Sequence, residues 1–428
     1  MTYQETITYL YNSAPLFQNI GQGAYKEGLY NTYALDEHCG HPHCSYKTIH
    51  VGGTNGKGSC SHTLAAILQE AGYKVGLYPS PHLIDFRERI RVNGTPACKQ
   101  FVIDFVERER NFFEPLSPSF FELTTAMAFT YFAQEQVDVA IIEVGLGGRL
   151  DCTNIITPDL CIITNISLDH TQFLGSTTTS IAAEKAGIIK PCTPVIIGEA
   201  TPETRKIFTK KAANEGAPIV FAQDENALLS AKATQEGIAY TTADYGTING
   251  ELAGEYQIKN TRTILTALRQ LLKKDYKITK DDVQKGFANV CSLTGFMGRW
   301  QKIGDNPPTV CDAGHNIGGI EYVTHQLAQQ ECDTLRIVFG MVSDKDITTV
   351  LSMMPRNAVY YFTQASIKRA MPADELRRKA AEYGLRGNSY PTVGCALEAA
   401  RKEATEKDFI FIGGSCFIVA DLLAHITA

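Results

Sequence analysis

Between residues 50 and 59 the chain reads His-Val-Gly-Gly-Thr-Asn-Gly-Lys-Gly-Ser. Glycines let a backbone curl until several N–H groups face one anion, and Lys57 adds a full positive charge. The Ser59 hydroxyl is a hard oxygen suited to the magnesium that travels with a nucleotide. The run follows the apolar stretch Thr48–Val51 and precedes a helical pattern from Cys60 to Glu70. Strand, glycine turn and helix start in that order make a phosphate cradle, because the helix start adds partial positive charge. The spacing departs from the usual G-x-x-x-x-G-K-[ST]. Val51 stands at the first glycine and Gly58 at the hydroxyl position, so the hydroxyl comes one residue later, at Ser59.

Other polar groups also follow apolar runs, where open α/β sheets place their ligands. Glu143 ends Ala140-Ile141-Ile142 and leads into the glycine-rich Val144–Asp151. A carboxylate there suits a magnesium ion, with a helix cap or an ion pair as the alternative. His170, in Asp169-His170, is open between metal ligand, proton shuttle and loop histidine. Ser80, in Tyr78-Pro79-Ser80-Pro81-His82, reads alone as a turn serine. Lys185 lies on an apolar helical stretch, where a lysine snorkels or pairs with an acid. Asp312-Ala313-Gly314-His315-Asn316 follows Val310-Cys311, and Arg299 alone reads as a surface arginine or as a group reaching for phosphate.

The elements needed to position these groups alternate along the chain. Strands are expected at Thr48–Val51, Val75–Tyr78, Val137–Val144, Leu160–Asn165 and Val195–Gly198, with helices at Phe121–Gln134 and Thr178–Ile189. A second set places strands at Thr309–Asp312, Arg336–Met341, Ala358–Thr363 and Phe409–Gly413. Its helices are Gly318–Gln329, Asp346–Met353, Ala373–Tyr383, Ala396–Glu406 and Cys416–His425. Such alternation predicts parallel α/β sheets. Between the sets, Cys291–Gly298 has two glycines and no clear period, as a hinge would. The expected division is therefore a large domain, 1–296, that carries the cradle, and a smaller α/β domain, 297–428.

The 428 residues exceed one comfortable core, which supports that division. A formal net charge of −6 argues against a general nucleic-acid binder. No apolar run approaches the roughly 20 residues of a membrane helix, and Met1–Leu10 has no signal-peptide pattern. A cytoplasmic protein follows, its 12 cysteines reduced. His38-Cys39-Gly40-His41-Pro42-His43-Cys44 gathers zinc-ligand types but lacks a second ligand pair, so a polar connector after a helix is the plainer reading.

Taken together, HVGGTNGKGS, SPHLIDFRERIRVNG, FFELTTAMAF, EVGLGGRLDCTN, TNISLDHTQFLG, IAAEKAGIIK, GRW and DAGHN resemble, in order, the folylpolyglutamate synthase and dihydrofolate synthase family, relatives of the Mur ligases. The resemblance spans about Phe17 to Ser415. It implies a P-loop-type parallel-sheet ATPase domain followed by a Rossmann-like C-terminal domain. It also implies an ATP-dependent amide ligase that works through an acyl phosphate and uses magnesium. By this likeness Gly56, Lys57, Gly58 and Ser59 hold the ATP phosphates, and Asn260, Arg299 and Asp312 contact ATP as well. Ser59, Ser80, Glu143 and His170 would bind magnesium, together with Lys185, which matches the family's carbamylated lysine. His315 would lie near the acyl phosphate and the incoming glutamate, and Ser415 near the glutamate. Lys57, His170, Lys185, Arg299 and His315 would carry catalysis.

The stretch Gly148–Cys152 looks like that of bifunctional members, which act on dihydropteroate as well as folates. Phe120, Phe121, Glu122, Leu150, Asp151 and Cys152 would line the pterin, as aromatics suit a flat heterocycle. The implied substrates are dihydropteroate, folates, L-glutamate and ATP, handled by a monomer without nucleic acid or membrane. The chain departs from the family at Met297, where proline is common, and at Gly53 and Cys152, where alanine is. These changes read as sterically mild. Two rival readings share the cradle. One is a Mur-type ligase acting on a nucleotide-linked peptide, which would need a further domain before the cradle. The other is a nucleotide switch, which leaves Arg299 and the DAGHN segment unexplained.

Overall fold

The computed structural model describes residues 1–13, 28–343 and 346–427. They form two compact units, Met1–Glu251 with Tyr256–Phe296, and Leu252–Glu255 with Met297–Ala428.

The first unit is built on eight strands: β1 (Lys47–Gly52), β2 (Val75–Tyr78), β3 (Arg91–Val92), β4 (Thr95–Pro96), β5 (Val139–Glu143), β6 (Leu160–Ile163), β7 (Val195–Ile197) and β8 (Ile219–Phe221). Their order is β4-β3-β2-β5-β1-β6-β7-β8. From β2 to β8 every pairing is parallel; β3 and β4 close one edge antiparallel. From β1 the chain runs through helix Lys57–Glu70 to β2, beyond β5, whereas β6 leads outward to β7 and β8 on the other side. β1 thus stands where the winding changes direction, and that is where open α/β sheets leave a crevice at the carboxyl ends of the strands.

Side chains of β1 alternate between two cores, as the strand period requires. Ile49 and Val51 join the cluster formed with helix Lys57–Glu70, helix Tyr256–Leu272 and helix Lys280–Ala288. Thr48 and His50, buried polar residues, occupy the alternate positions. On the neighbouring β5, Ala140 and Ile142 belong to the second cluster, with helices Tyr3–Ser13, Lys99–Leu116 and Phe120–Gln134. A three-stranded antiparallel sheet, β9 (Leu228–Thr234), β10 (Gly237–Thr242) and β11 (Gly246–Gly250), adds Ile238, Tyr240 and Ile248 to the first.

The second unit has six strands, β12 (Gln301–Asp305), β13 (Pro308–Asp312), β14 (Leu335–Phe339), β15 (Val359–Phe362), β16 (Arg386–Ser389) and β17 (Phe409–Gly413). Their order is β12-β13-β17-β14-β15-β16, parallel except for β12. The last strand inserts between the first two parallel ones, so Asp312 pairs with Gly413 and the turn to Ser415 opens beside it.

The α/β architecture with parallel-rich sheets is the one the alternation predicts. Several details differ. The cradle helix begins at Lys57 rather than Cys60. The segment read as periodless contains the helix Val290–Thr294, too short for a period to register, ended by Gly295 at φ 68°. The antiparallel sheet β9–β11 and the helix Lys99–Leu116 carry no expectation from sequence. Among the described residues no helix is long and apolar enough to cross a membrane.

Gly286 fixes the contact that seats the cradle helix. A Cβ there would lie 2.6 Å from Ile67 Cα, a backbone atom that cannot turn aside. Gly286→Ala should therefore force the two helices apart and destabilise the unit by about 1–3 kcal/mol, measured as a lower Tm. An unchanged Tm would show that the helices separate without cost.

Candidate active site

The loop leaving β1 is braced from the start of the β6 loop. Thr54 N–H donates to Asn165 O at 2.9 Å, Asn55 N–H to Asn165 Oδ1 at 2.9 Å, and Thr164 Oγ1 to Asn55 O at 2.6 Å. Gly56, the N-cap residue of the helix, lies in the left-handed region at φ 84°, and no side chain among the described residues caps the helix start. The N–H groups of its first turn have no intrahelical partner, the arrangement that binds anions. Gly56 has no room for a side chain, since a Cβ would lie 2.3 Å from Asn260 Oδ1. Asn260 donates to Gln257 Oε1 at 2.9 Å, and Gln257 Nε2 donates to Ser59 Oγ at 3.1 Å. Helix Tyr256–Leu272 thereby orients the Ser59 hydroxyl. Gln257 escaped the sequence reading because nothing local marks it.

Two lysines meet at one atom. Lys57 Nζ donates to Gly53 O and Thr54 O, both at 3.1 Å, and Lys185 Nζ donates to Gly53 O at 2.9 Å. Lys185 is buried rather than snorkelling, and its amine bonds a backbone carbonyl. Burial first, and the neighbouring Lys57 second, push its amine down to about 7.

Register places the acidic group beside this loop. Glu143 pairs with Val51, and Tyr78 with Ile142. The carboxyl ends of β2, β5 and β1 therefore lie side by side, and Ser80 N–H reaches Glu143 Oε2 at 3.4 Å. Glu143 is buried; its oxygens and the hydroxyls of Ser59 and Ser80 are hard donors. His170 opens the short helix Thr171–Leu174 at φ 49° and stands 3.9 Å from the Asp169 carboxylate. Among the described residues no three His, Cys, Asp or Glu side chains gather into a metal cage. That composition fits magnesium, which takes one or two carboxylates and completes its shell with phosphate oxygens and water.

The glycine-rich loop after β5 is squeezed between two neighbours. A Cβ on Gly145 would meet Phe121 Cζ at 2.5 Å, and one on Gly148 would meet Glu184 O at 2.9 Å. Phe121, half-buried, stacks on Tyr78 at 5.8 Å. Leu150 lines a cavity of about 250 Å³ with Arg149, Gln172 and Glu184. Asp151 is buried; its carboxylate accepts from Leu146 N–H at 2.7 Å and Thr153 N–H at 3.0 Å. Burial pushes its carboxyl up and these donors pull it back. Cys152 follows it, half-buried.

Two expected lining residues have interior uses. Phe120 is buried against Tyr11 and Phe86. Glu122 is buried and accepts Ser119 N–H at 2.6 Å, closing a capping box on its own helix. Sequence reasoning also passed over Arg89. Its guanidinium is buried, donates to His82 Nδ1 at 2.7 Å and lies 5.4 Å from the Phe120 ring centre. Burial, then Arg89, push His82 down to about 3, so it faces the guanidinium as a neutral acceptor.

In the second unit Asp312 accepts Trp300 N–H and Gly314 N–H, both at 2.7 Å, and so shapes both turns at its strand end. Arg299 donates to Gly298 O at 3.0 Å. His315 Nδ1 lies 3.0 Å from Ala313 O, and a carbonyl can only accept, so the proton is on Nδ1 and Nε2 is the basic nitrogen. Ser415 is buried and its Oγ accepts from Phe417 N–H at 3.1 Å, at the start of helix Cys416–Thr427. In the His38–Cys44 segment, His41 and His43 each bond one oxygen of Asp36 at 2.7 Å.

Gly53 is not the mild position expected. At φ 134° a Cβ would lie 1.9 Å from Thr164 Oγ1, whereas the nearest atom to one on Gly52 would be the side-chain end Ile188 Cδ1, at 3.1 Å. Gly53→Ala should weaken binding of a non-hydrolysable ATP analogue at least about tenfold, and Gly52→Ala should leave it within about threefold, by calorimetric titration. Equal affinities would show that the loop tolerates displacement.

Residues 51–268 match the Mur ligase middle domain, and residues 298–416 the Mur ligase glutamate ligase domain. The chain is 31% identical over 427 residues to the folylpolyglutamate synthase of Lacticaseibacillus casei, covering 96% of each chain. Its fold is similar to that of E. coli FolC in complex with DHPP and ADP, at TM-score 0.83 and 31% identity, covering 100% of this chain and 98% of that one. It is also similar to the bifunctional folylpolyglutamate synthase/dihydrofolate synthase of Yersinia pestis complexed with AMPPNP and Mn ion, at TM-score 0.83 and 29% identity, with the same coverage.

Proposed function

Because the chain belongs to the folylpolyglutamate synthase and dihydrofolate synthase family of the Mur ligases, we propose that it adds L-glutamate both to dihydropteroate and to folates through an acyl phosphate. It is an ATP-dependent ligase that joins glutamate to folates. The observation that carries the reading is the convergence of Lys57 and Lys185 on Gly53 O, beside the strand ends that hold Glu143 and Ser80.

A carboxylate is a poor electrophile until an oxygen becomes a good leaving group. In this reading the acceptor carboxylate attacks the γ-phosphorus of ATP, ADP leaves, and an acyl phosphate forms. The glutamate amine then attacks the acyl carbon, and phosphate departs. Lys57 and the first-turn N–H groups of helix Lys57–Glu70 offset charge on the phosphates, with Gly56, Gly58 and Asn260 shaping the cradle. Ser59, Ser80 and Glu143, with His170, would hold magnesium. When bound, that ion neutralises charge building on the transferring phosphoryl group.

Phe121, Leu150, Asp151 and Cys152 would line the pterin, Phe120 and Glu122 supporting them from within. Arg299 and Asp312 are assigned to nucleotide and Ser415 to glutamate. His315 Nε2 would take the proton that the glutamate amine loses. All 12 cysteines are free thiols, which supports a cytoplasmic setting.

Lys185 is the proposed site of carbamylation. Its neutral amine adds to the carbon of carbon dioxide: a C–N bond forms as one C=O π bond opens onto oxygen, one proton leaves, and the uncharged amine becomes an anionic oxygen ligand. Only the neutral amine reacts, and its fraction rises as pH passes through about 7. At constant carbon dioxide pressure the carbamate carbon signal, read by NMR with labelled carbon dioxide, should grow from pH 6 to pH 8. It should be missing in Lys185→Arg. A signal that persists in that variant assigns the carbamate elsewhere.

Release of ADP should require both an acceptor acid and L-glutamate for sustained turnover. ADP release indifferent to both would point to a nucleotide switch. Lys57→Ala should lower kcat by about a hundredfold or more; near-normal turnover would remove the cradle lysine from the mechanism.

A further inference from the structure

His50 is a buried histidine on a central strand, at a position where a parallel sheet ordinarily carries an aliphatic residue. Its Nε2 lies 2.8 Å from Thr153 Oγ1, across 103 residues of sequence. Thr153 Oγ1 lies 2.5 Å from Asp151 Oδ1, and both Thr153 and Asp151 are buried.

With Asp151 ionised, the direction of each proton follows from valence. A threonine hydroxyl has one proton and two lone pairs, and an ionised carboxylate only accepts. The hydroxyl proton therefore goes to Asp151 Oδ1, and His50 donates to Thr153 Oγ1 through Nε2–H. That leaves Nδ1 as a bare acceptor, and it is buried without a hydrogen-bond partner among the described residues. An unmatched buried acceptor costs stability, and a leucine at this position would avoid the cost. Burial pushes the imidazole down to about 3, so the neutral, Nε2-protonated form persists across the working pH range. What the histidine supplies is orientation. With a donor behind it, the Thr153 hydroxyl has one use left, toward the carboxylate. Thr153 N–H holds the same oxygen at 3.0 Å, and Leu146 N–H holds the other at 2.7 Å.

We infer that His50 and Thr153 are positioning residues for the acceptor: through them the strand that carries the phosphate loop fixes the direction of the Asp151 carboxylate toward the substrate's heterocycle. The inference rests on the reading of Asp151 as an acceptor contact. The chain is a rigid one, because His50 stands two residues before the loop and cannot shift without moving β1. It aligns the acceptor with the phosphate it must attack, a task in which small displacements cost rate.

The experiment uses the full chain, with dihydropteroate, ATP and L-glutamate, and measures KM for dihydropteroate, KM for ATP, kcat and Tm. Thr153→Val removes the hydroxyl at nearly constant volume and should raise the dihydropteroate KM roughly tenfold, with the ATP KM within about twofold. Thr153→Ser should restore it. His50→Leu should raise the dihydropteroate KM about threefold while Tm holds or rises, because the orphaned acceptor is gone. That pairing of weaker acceptor use with undiminished stability is not what a merely structural histidine would give. Should Thr153→Val fail to fold, His50→Leu decides alone. An unchanged dihydropteroate KM in His50→Leu, or equal rises for dihydropteroate and ATP, overturns the inference and leaves the ligase reading intact. A wild-type enzyme that does not turn over dihydropteroate overturns the acceptor assignment, and the positioning role with it.

Discussion

Two lysine amines share one carbonyl oxygen where β1 ends. One of them, Lys185, is buried, and a second cation so close to Lys57 would be costly if both stayed charged. The conflict is resolved by titration: burial and Lys57 bring Lys185 from the ordinary 10.5 to about 7. The linkage has a definite sign. An unfolded lysine takes up its proton below about 10.5, and the folded one only below about 7. The contribution to stability is therefore greatest above the unfolded value, falls as pH drops from there to about 7, and is level below. What that cost secures is an uncharged, nucleophilic amine beside a phosphate loop, a chemical state that lysine rarely has near neutrality.

The loop on which the lysines converge can exist only because the backbone there approaches other backbone at contact distance. Gly53 faces Thr164, Gly56 faces Asn260, Gly145 faces Phe121 and Gly148 faces the last turn of helix Thr178–Ala186. Each glycine removes a Cβ that would separate two parts of the site. The result is a set of strand ends held in fixed register, with β2, β5, β1 and β6 each delivering one polar segment to one edge of the sheet. The second unit applies the same rule at β13 and β17, where Asp312 and Ser415 follow paired strand ends.

Several polar groups assigned to chemistry also hold their own surroundings. Asp151 ties the glycine loop, Asp312 ties two turns, Glu122 closes a capping box, and Ser415 starts a helix. Such double use is what preorganisation requires, since a group aimed at a reacting centre must already be fixed by other bonds. It also explains why structural and functional readings of these residues did not separate by type alone.

The sequence determined whatever is written within a few consecutive residues. The cradle from Gly52 to Ser59, the strands that end at Glu143 and Asp312, the alternation of strand and helix, and the family are all local in that sense, because backbone propensity and motif spacing act over one turn or one strand. Tertiary structure decided the rest. Gly53 looked tolerant until Thr164 was seen 1.9 Å from its missing Cβ. Lys185 looked like a snorkelling side chain until the Gly53 carbonyl was seen beneath it. Gln257, Arg89 and His50 carry no local mark, because their meaning lies in partners brought from elsewhere in the chain. Only a folded sheet places His50 against Thr153, 103 residues away, because hydrogen bonds depend on distance in space and sequence patterns record distance along the chain.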